Sequence, residues 1–149
     1  MLKVLTGYKD SNLVSLRGAL VDLVFEAISM YRVPEVDLVV VPARNWFNYR
    51  KRGYDPALEI AKRAFRNRAD VVQLRSSRKF LDQRSLDFRG RKQNLDGAFS
   101  ISGLSGKQVL LFDDVLTTGA TMKEMSRAVQ AAGGKVIFGC VLAETIANF

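Results

Sequence analysis

Val109-Leu-Leu-Phe-Asp-Asp-Val-Leu-Thr-Thr-Gly-Ala-Thr121 decides how this chain is read. Four apolar residues, Val109 to Phe112, lead into the adjacent acids Asp113 and Asp114, and Thr117-Thr-Gly-Ala-Thr121 then opens a helical pattern. The pattern predicts a strand from Gln108 to Phe112 and a helix from about Ala120 to Ala132, stopped by Gly133-Gly134. A further strand from Lys135 to Leu142 completes a βαβ unit.

Working toward the N-terminus, the apolar residues of Ser11 to Tyr31 recur at helical spacing with Arg17, Asp22 and Glu26 between them. Pro34 ends that helix, and the β-branched run Val36-Asp-Leu-Val-Val-Val41, bounded by Pro42, predicts a buried strand, the first of the main sheet. Ala43 to Tyr54 reads as a basic connection. Asp55 is a plausible N-cap with Pro56 in the first turn behind it, so a helix through Leu58, Ile60, Ala61, Ala64 and Phe65 is expected. Val71-Val-Gln-Leu74 is a candidate short strand. The arginine-rich stretch from Arg75 to about Gly97 follows neither period, and so long a segment in a compact domain is often a functional lid. Alternating strands and helices predict an α/β fold, a mainly parallel twisted sheet with helices on both faces and ligands at the carboxyl ends of the strands. One domain over residues 1–149 is expected, with residues 75–100 as its hood.

Composition narrows the chemistry. The 149 residues are 48% hydrophobic and 26% charged, the balance of a globular chain. No histidine is present, which excludes a Ser-His-Asp triad, a Cys-His pair and histidine-ligated metals. The lone Cys140 lies in an apolar run and is expected to pack in the core; it cannot build a disulfide framework or a cysteine zinc site. Any metal must therefore sit on oxygen ligands. No apolar stretch approaches the roughly 20 residues that span a bilayer, and no leader pattern opens the chain, so a cytoplasmic protein without membrane contact is expected. The net charge of +8 is concentrated: residues 44–92 hold 15 Lys and Arg against 5 Asp and Glu. Such a basic face suits an anionic partner, a phosphorylated small molecule or nucleic acid.

The opening stretch has a physical use for each part. A helix N-terminus presents unpaired N–H groups and positive dipole to a phosphate, three threonine hydroxyls add donors, and Gly119 lets the backbone come close. Asp113 and Asp114 suit the opposite kind of group, one rich in hydroxyl donors such as a ribose, or an oxygen-loving cation such as Mg²⁺. Together they describe a cradle for ribose 5-phosphate.

Val109 to Thr121 resembles the phosphoribosyl pyrophosphate motif of type I phosphoribosyltransferases. Arg50-Lys-Arg-Gly-Tyr54 and the spaced set Gln83, Leu86, Arg89, Asn94 and Phe99 resemble the ComF/GntX branch of that superfamily, linked to competence and DNA uptake. The similarity runs over about residues 36–143. It implies that Asp113 and Asp114 bind the ribose hydroxyls, with metal held there directly or through water or ligand. It further implies that Thr117, Thr118, Gly119, Ala120 and Thr121 hold the 5-phosphate. Ala43 and Arg44 would face pyrophosphate with Mg²⁺, and Arg84 and Arg89 would belong to the closing hood. Arg44, Arg84 and Arg89 are the candidate catalytic groups. Three departures stand out: the cysteine pairs of the family's zinc module are absent, Asp55 stands where asparagine is expected, and Thr117 replaces the aspartate that contacts 6-oxopurines in that superfamily, so hypoxanthine or guanine is not the acceptor that the resemblance leads one to expect.

The functions implied are transfer of a phosphoribosyl group to a nitrogen nucleophile with loss of pyrophosphate, non-catalytic binding of phosphoribosyl pyrophosphate or a nucleotide, and single-stranded DNA binding. The last draws on Trp46, Phe47, Tyr49, Tyr54, Phe65, Phe80 and Phe88 interleaved with positive charge between Arg44 and Lys92. The superfamily resemblance also implies a homodimer.

Overall fold

A computed structural model describes residues 14–76 and 95–145. A single 3₁₀ turn, Val14–Leu16, precedes helix α1, Arg17–Met30; strand β1, Leu38–Val41, follows. Helices α2, Trp46–Arg52, and α3, Pro56–Ala64, lead to β2, Asp70–Gln73, and the short β3, Arg75–Ser76. The rest is β4, Phe99–Ser100; β5, Gln108–Leu116; α4, Ala120–Ala131; and β6, Lys135–Glu144.

Four strands form one parallel sheet in the order β2-β1-β5-β6. Side chains alternate across it. Val39, Val41, Leu110 and Phe112 face the core that α1 and α3 cover, while Val40, Val109 and Leu111 face the core under α4. Both faces are therefore buried, which is why these strands read as unbroken apolar runs. Phe65 is held edge-on against Phe112, ring centroids 6.0 Å apart, and is 1% exposed. Cys140 is half-buried on β6 and packs against the α1/α3 core, where burial pushes its thiol up.

Chain direction places the functional end. From β1 the chain passes to β2 on one side, with α3 on one face; from β5 it passes to β6 on the other side, with α4 on the opposite face. The order thus reverses between β1 and β5, and at such a switch point the loops diverge and leave a crevice at the carboxyl ends.

Several expectations are corrected. Residues Ala43 to Tyr54 are not a plain connection, because α2 forms inside them. Its start is capped by Asn45, whose Oδ1 accepts from Asn48 N–H at 3.2 Å, and its end is turned by Gly53 at φ 79°. No apolar stripe announces it, because most of its side chains serve a cleft rather than the core. Strand β5 runs four residues beyond Phe112, since β6 continues to pair with it as far as Leu116↔Glu144. The first strand starts at Leu38 rather than Val36; the first helix is Arg17–Met30 behind the 3₁₀ turn Val14–Leu16, and the expected start at Ser11 lies outside the described residues. The two ends of the expected hood are themselves paired, β3 against β4, antiparallel, through Arg75↔Ser100 and Ser76↔Phe99.

Candidate functional site

The register makes the site. The last pair joining β5 to β1 is Val40↔Leu111, whereas the ladder to β6 continues past Asp113. Asp113 and Asp114 therefore emerge in the notch left where β1 has ended. Each is buried, at 8% and 9% exposure, and the Asp114 N–H donates to Asp113 Oδ1 at 2.8 Å. Adjacent acids so little exposed are expensive unless hydrogen-bond donors or cations meet them.

The notch opens into a cleft of about 160 Å³. Pro42 and Ala43 supply one wall from the end of β1; Tyr49 and Arg52 of α2 and Tyr54 and Asp55 of the following junction supply another. The Arg52-Gly53-Tyr54 triplet is thus a helix end that brings Arg52 and Tyr54 to the cleft that the acids also line. Asp55 caps α3, its Oδ1 accepting from Leu58 N–H at 3.3 Å, and its Oδ2 accepts from Gln73 Nε2 at 2.8 Å at the end of β2. Burial pushes the Asp55 carboxyl up; these two donors and Arg44 oppose the shift, and nearby Asp114 adds to it.

On the far side of the acids, Thr117 to Gly119 turn into α4. Gly119 is the N-cap at φ 75°, a left-handed conformation, and no side chain caps the first turn. Thr118 Oγ1 reaches only Ala120 N–H, at 3.4 Å. Thr117 is exposed; Thr118, Ala120 and Thr121 are half-buried. Ala120 N–H apart, the first-turn amides have no side-chain cap among the described residues, the condition that an anion site requires.

Ala43 and Arg44, expected together, are divided between two clefts. Ala43 lines the acid cleft, while Arg44 lines a neighbouring one with Trp46 and Gln73 to Ser76. The Arg44 guanidinium carbon lies 4.0 Å from the Tyr49 ring centroid and 5.3 Å from that of Trp46. Arg84 and Arg89 lie outside the described residues, as do Gln83, Leu86, Asn94, Phe80 and Phe88. Among the aromatics of the nucleic-acid reading, Phe65 belongs to the core and Trp46 is 62% exposed.

A further pair went unnoticed in the sequence. Glu124 is buried at 4% exposure on α4; its carboxylate accepts from Arg127 Nε and Nη2 at 2.7 Å each and from Phe99 N–H at 3.0 Å. Arg127 Nη2 also donates to Phe99 O at 2.8 Å. Burial would raise the Glu124 carboxyl, but Arg127 and the Phe99 and Gly97 amides outweigh it and hold the group below its usual range. The pair clamps β4 to α4. Its only sequence signal is an acid beside Met125 on a stripe that continues through Ala128 and Val129.

Among the described residues no cluster of three or more acids or cysteines could hold a metal. Nor is any described helix long and apolar enough to cross a membrane.

Residues 51–147 match the model of the phosphoribosyl transferase domain. The chain belongs to that family. Within it, Competence protein F of Haemophilus influenzae is 31% identical over 110 residues, 68% of this chain and 47% of that protein, in keeping with a ComF-like member. A putative ribose-phosphate pyrophosphokinase 2 of Lactococcus lactis is 28% identical over 112 residues, 72% of this chain and 33% of that protein. The chain thus spans half or less of the length of these relatives. Adenine phosphoribosyltransferase from Thermoanaerobacter pseudethanolicus superposes with a TM-score of 0.52 at 16% identity, over 90% of this chain and 83% of that one. The shared fold is the parallel sheet with helices on both faces, and the acid cleft of this phosphoribosyl transferase domain lies at its switch point.

Proposed function

We propose that this domain binds phosphoribosyl pyrophosphate and transfers its phosphoribosyl group to a nitrogen nucleophile, releasing pyrophosphate. The observation that carries the reading is the pairing, at one end of the sheet, of two buried acids with a helix start whose cap is a left-handed glycine and no side chain. The acids take the ribose hydroxyls; the turn from Thr117 to Thr121 takes the 5-phosphate; Ala43 borders the pyrophosphate end.

In the transfer, the acceptor nitrogen forms a bond to ribose C1 while the bond from C1 to the pyrophosphate oxygen breaks, its electron pair leaving with pyrophosphate. A proton on that nitrogen passes to water. No protein nucleophile is needed, so the chain's contribution is positioning, exclusion of water, and electrostatic stabilisation of the leaving group. Arg52 of the acid cleft and the arginines of residues 77–94 are the cations proposed for the last task.

Mg²⁺ fits the donor set: two carboxylates and no nitrogen or sulfur ligand, with the remaining oxygens coming from ligand and water. When bound it neutralises pyrophosphate charge, and Asp113 and Asp114 would hold it directly or through water. A homodimer in the cytoplasm is part of the same proposal.

Single-stranded DNA binding is the second reading, supported by exposed Trp46 beside Arg44 and by the concentrated positive charge. Salt separates the two, because phosphate-backbone contacts weaken steeply as salt rises.

Calorimetric titration of phosphoribosyl pyrophosphate with Mg²⁺ tests the main reading. The wild type should bind and the Asp113→Asn/Asp114→Asn protein should not; a wild type that does not bind removes the reading and brings DNA binding forward.

A further inference from the structure

The second cleft, about 370 Å³, adjoins the acid cleft along one stretch of backbone: Ala43 and Asn45 line the first, Arg44 and Trp46 the second. Its volume falls in the range of small-ligand sites. Three features of its walls point to one kind of occupant.

The first is a ring platform. Trp46 is 62% exposed at the start of α2 and is braced edge-on by Tyr49, with centroids 5.8 Å apart and planes at 80°. The second is a cation fixed in place. The Arg44 guanidinium stacks at 4.0 Å on Tyr49 and lines the cleft. A guanidinium already held in a cleft wall offers a negatively charged ligand charge-assisted contacts at little ordering cost. The third is an opposite wall that is built rather than loose. Arg75 and Ser76 form β3, β3 is paired to β4, and the Glu124–Arg127 pair bolts β4 to α4. Arg75 brings a second positive charge to this wall.

We infer that the second cleft binds a planar nitrogen heterocycle carrying a negative charge, its ring on Trp46 and its charge met by Arg44 and Arg75. The ring's role as acceptor of the phosphoribosyl group rests on the transferase reading; the binding site stands on the cleft alone.

Trp46 is the one tryptophan in the sequence, so its fluorescence reports this cleft directly. Nicotinate and orotate, each a planar ring with one carboxylate, should change its emission saturably in the wild type and equally in Asp113→Asn/Asp114→Asn. Nicotinamide, the uncharged counterpart of nicotinate, should bind about tenfold or more weakly, as should nicotinate to Arg75→Gln, since each loses a charge-assisted contact. Arg75 is exposed, so that variant folds normally. The inference is overturned if neither carboxylate binds, if their effect vanishes with the two acids, or if nicotinamide binds as well as nicotinate. It is equally overturned if an oligothymidylate quenches Trp46 where both rings fail. Ring binding without phosphoribosyl pyrophosphate binding would keep this site and remove the transferase reading; the reverse result would do the opposite.

Discussion

Two helices, α3 and α4, begin at the same end of the same sheet, and they begin in opposite ways. The start of α3 is closed from within: Pro56 has no N–H to satisfy, Asp55 accepts from Leu58 N–H, and Gln73 holds the second carboxylate oxygen. The start of α4 has a left-handed glycine and no side-chain cap. A helix start already satisfied by its own chain has nothing to offer a phosphate, whereas one left open does. The difference shows which of the two loops is scaffold and which is site, although both lie at the carboxyl ends of central strands.

The comparison can be broken most severely at the acids in front of α4. Asp113→Asn/Asp114→Asn should weaken binding of Mg²⁺-phosphoribosyl pyrophosphate roughly 100-fold or more, two hydrogen bonds to charged groups being worth about 1.5–3 kcal/mol each. Calorimetry reads this, and folding should survive because the substitutions are isosteric. Next comes Gly119→Ala. A side chain at φ 75° should destabilise the turn by about 1–2 kcal/mol, visible as a lower urea midpoint, and should impair phosphate binding in the same protein. Space is no obstacle, since an added Cβ meets only Leu116 Cδ1 at 4.0 Å, so the effect isolates backbone conformation.

The capped helix should answer differently. Asp55→Ala removes the cap and the Gln73 bond and should lower the melting temperature by about 2–4 °C, on the order of 1 kcal/mol, with a smaller change in ligand affinity than Gly119→Ala. The smallest effect is sharpest in sign. Because the folded-state value of Asp55 is raised above the ordinary 3.8, its contribution to stability is full below that value and is lost as pH rises through the folded value. Asp55→Asn keeps the cap without this dependence. Chemical denaturation across the acid range should therefore show the variant gaining on the wild type as pH rises; a constant difference would mean that Asp55 is not perturbed.

Much of this arrangement was legible beforehand. The β-branched run ending at Val41, the Asp55-Pro56 start and the Gly133-Gly134 stop are local signals, set by dihedral preference and capping chemistry, and the elements follow them. Helix α2 was not legible, because its side chains serve a cleft and leave no apolar period. The far end of β5 was not either, since residues 113–116 are strand only because β6 pairs with them.

By itself, the sequence determined the chemistry available: no histidine, one cysteine, oxygen ligands only, an apolar strand ending in two acids, and a glycine ahead of a helix. Only the tertiary structure decided how those groups are distributed. The offset between the end of β1 and the end of β5 opens the notch that holds the acids. Neighbours in sequence part there, Ala43 to one cleft and Arg44 to the other, because successive residues leaving a strand point to opposite sides. The clamp of Glu124 and Arg127 on Phe99 joins residues 25 or more apart in the chain, so no local pattern announces it.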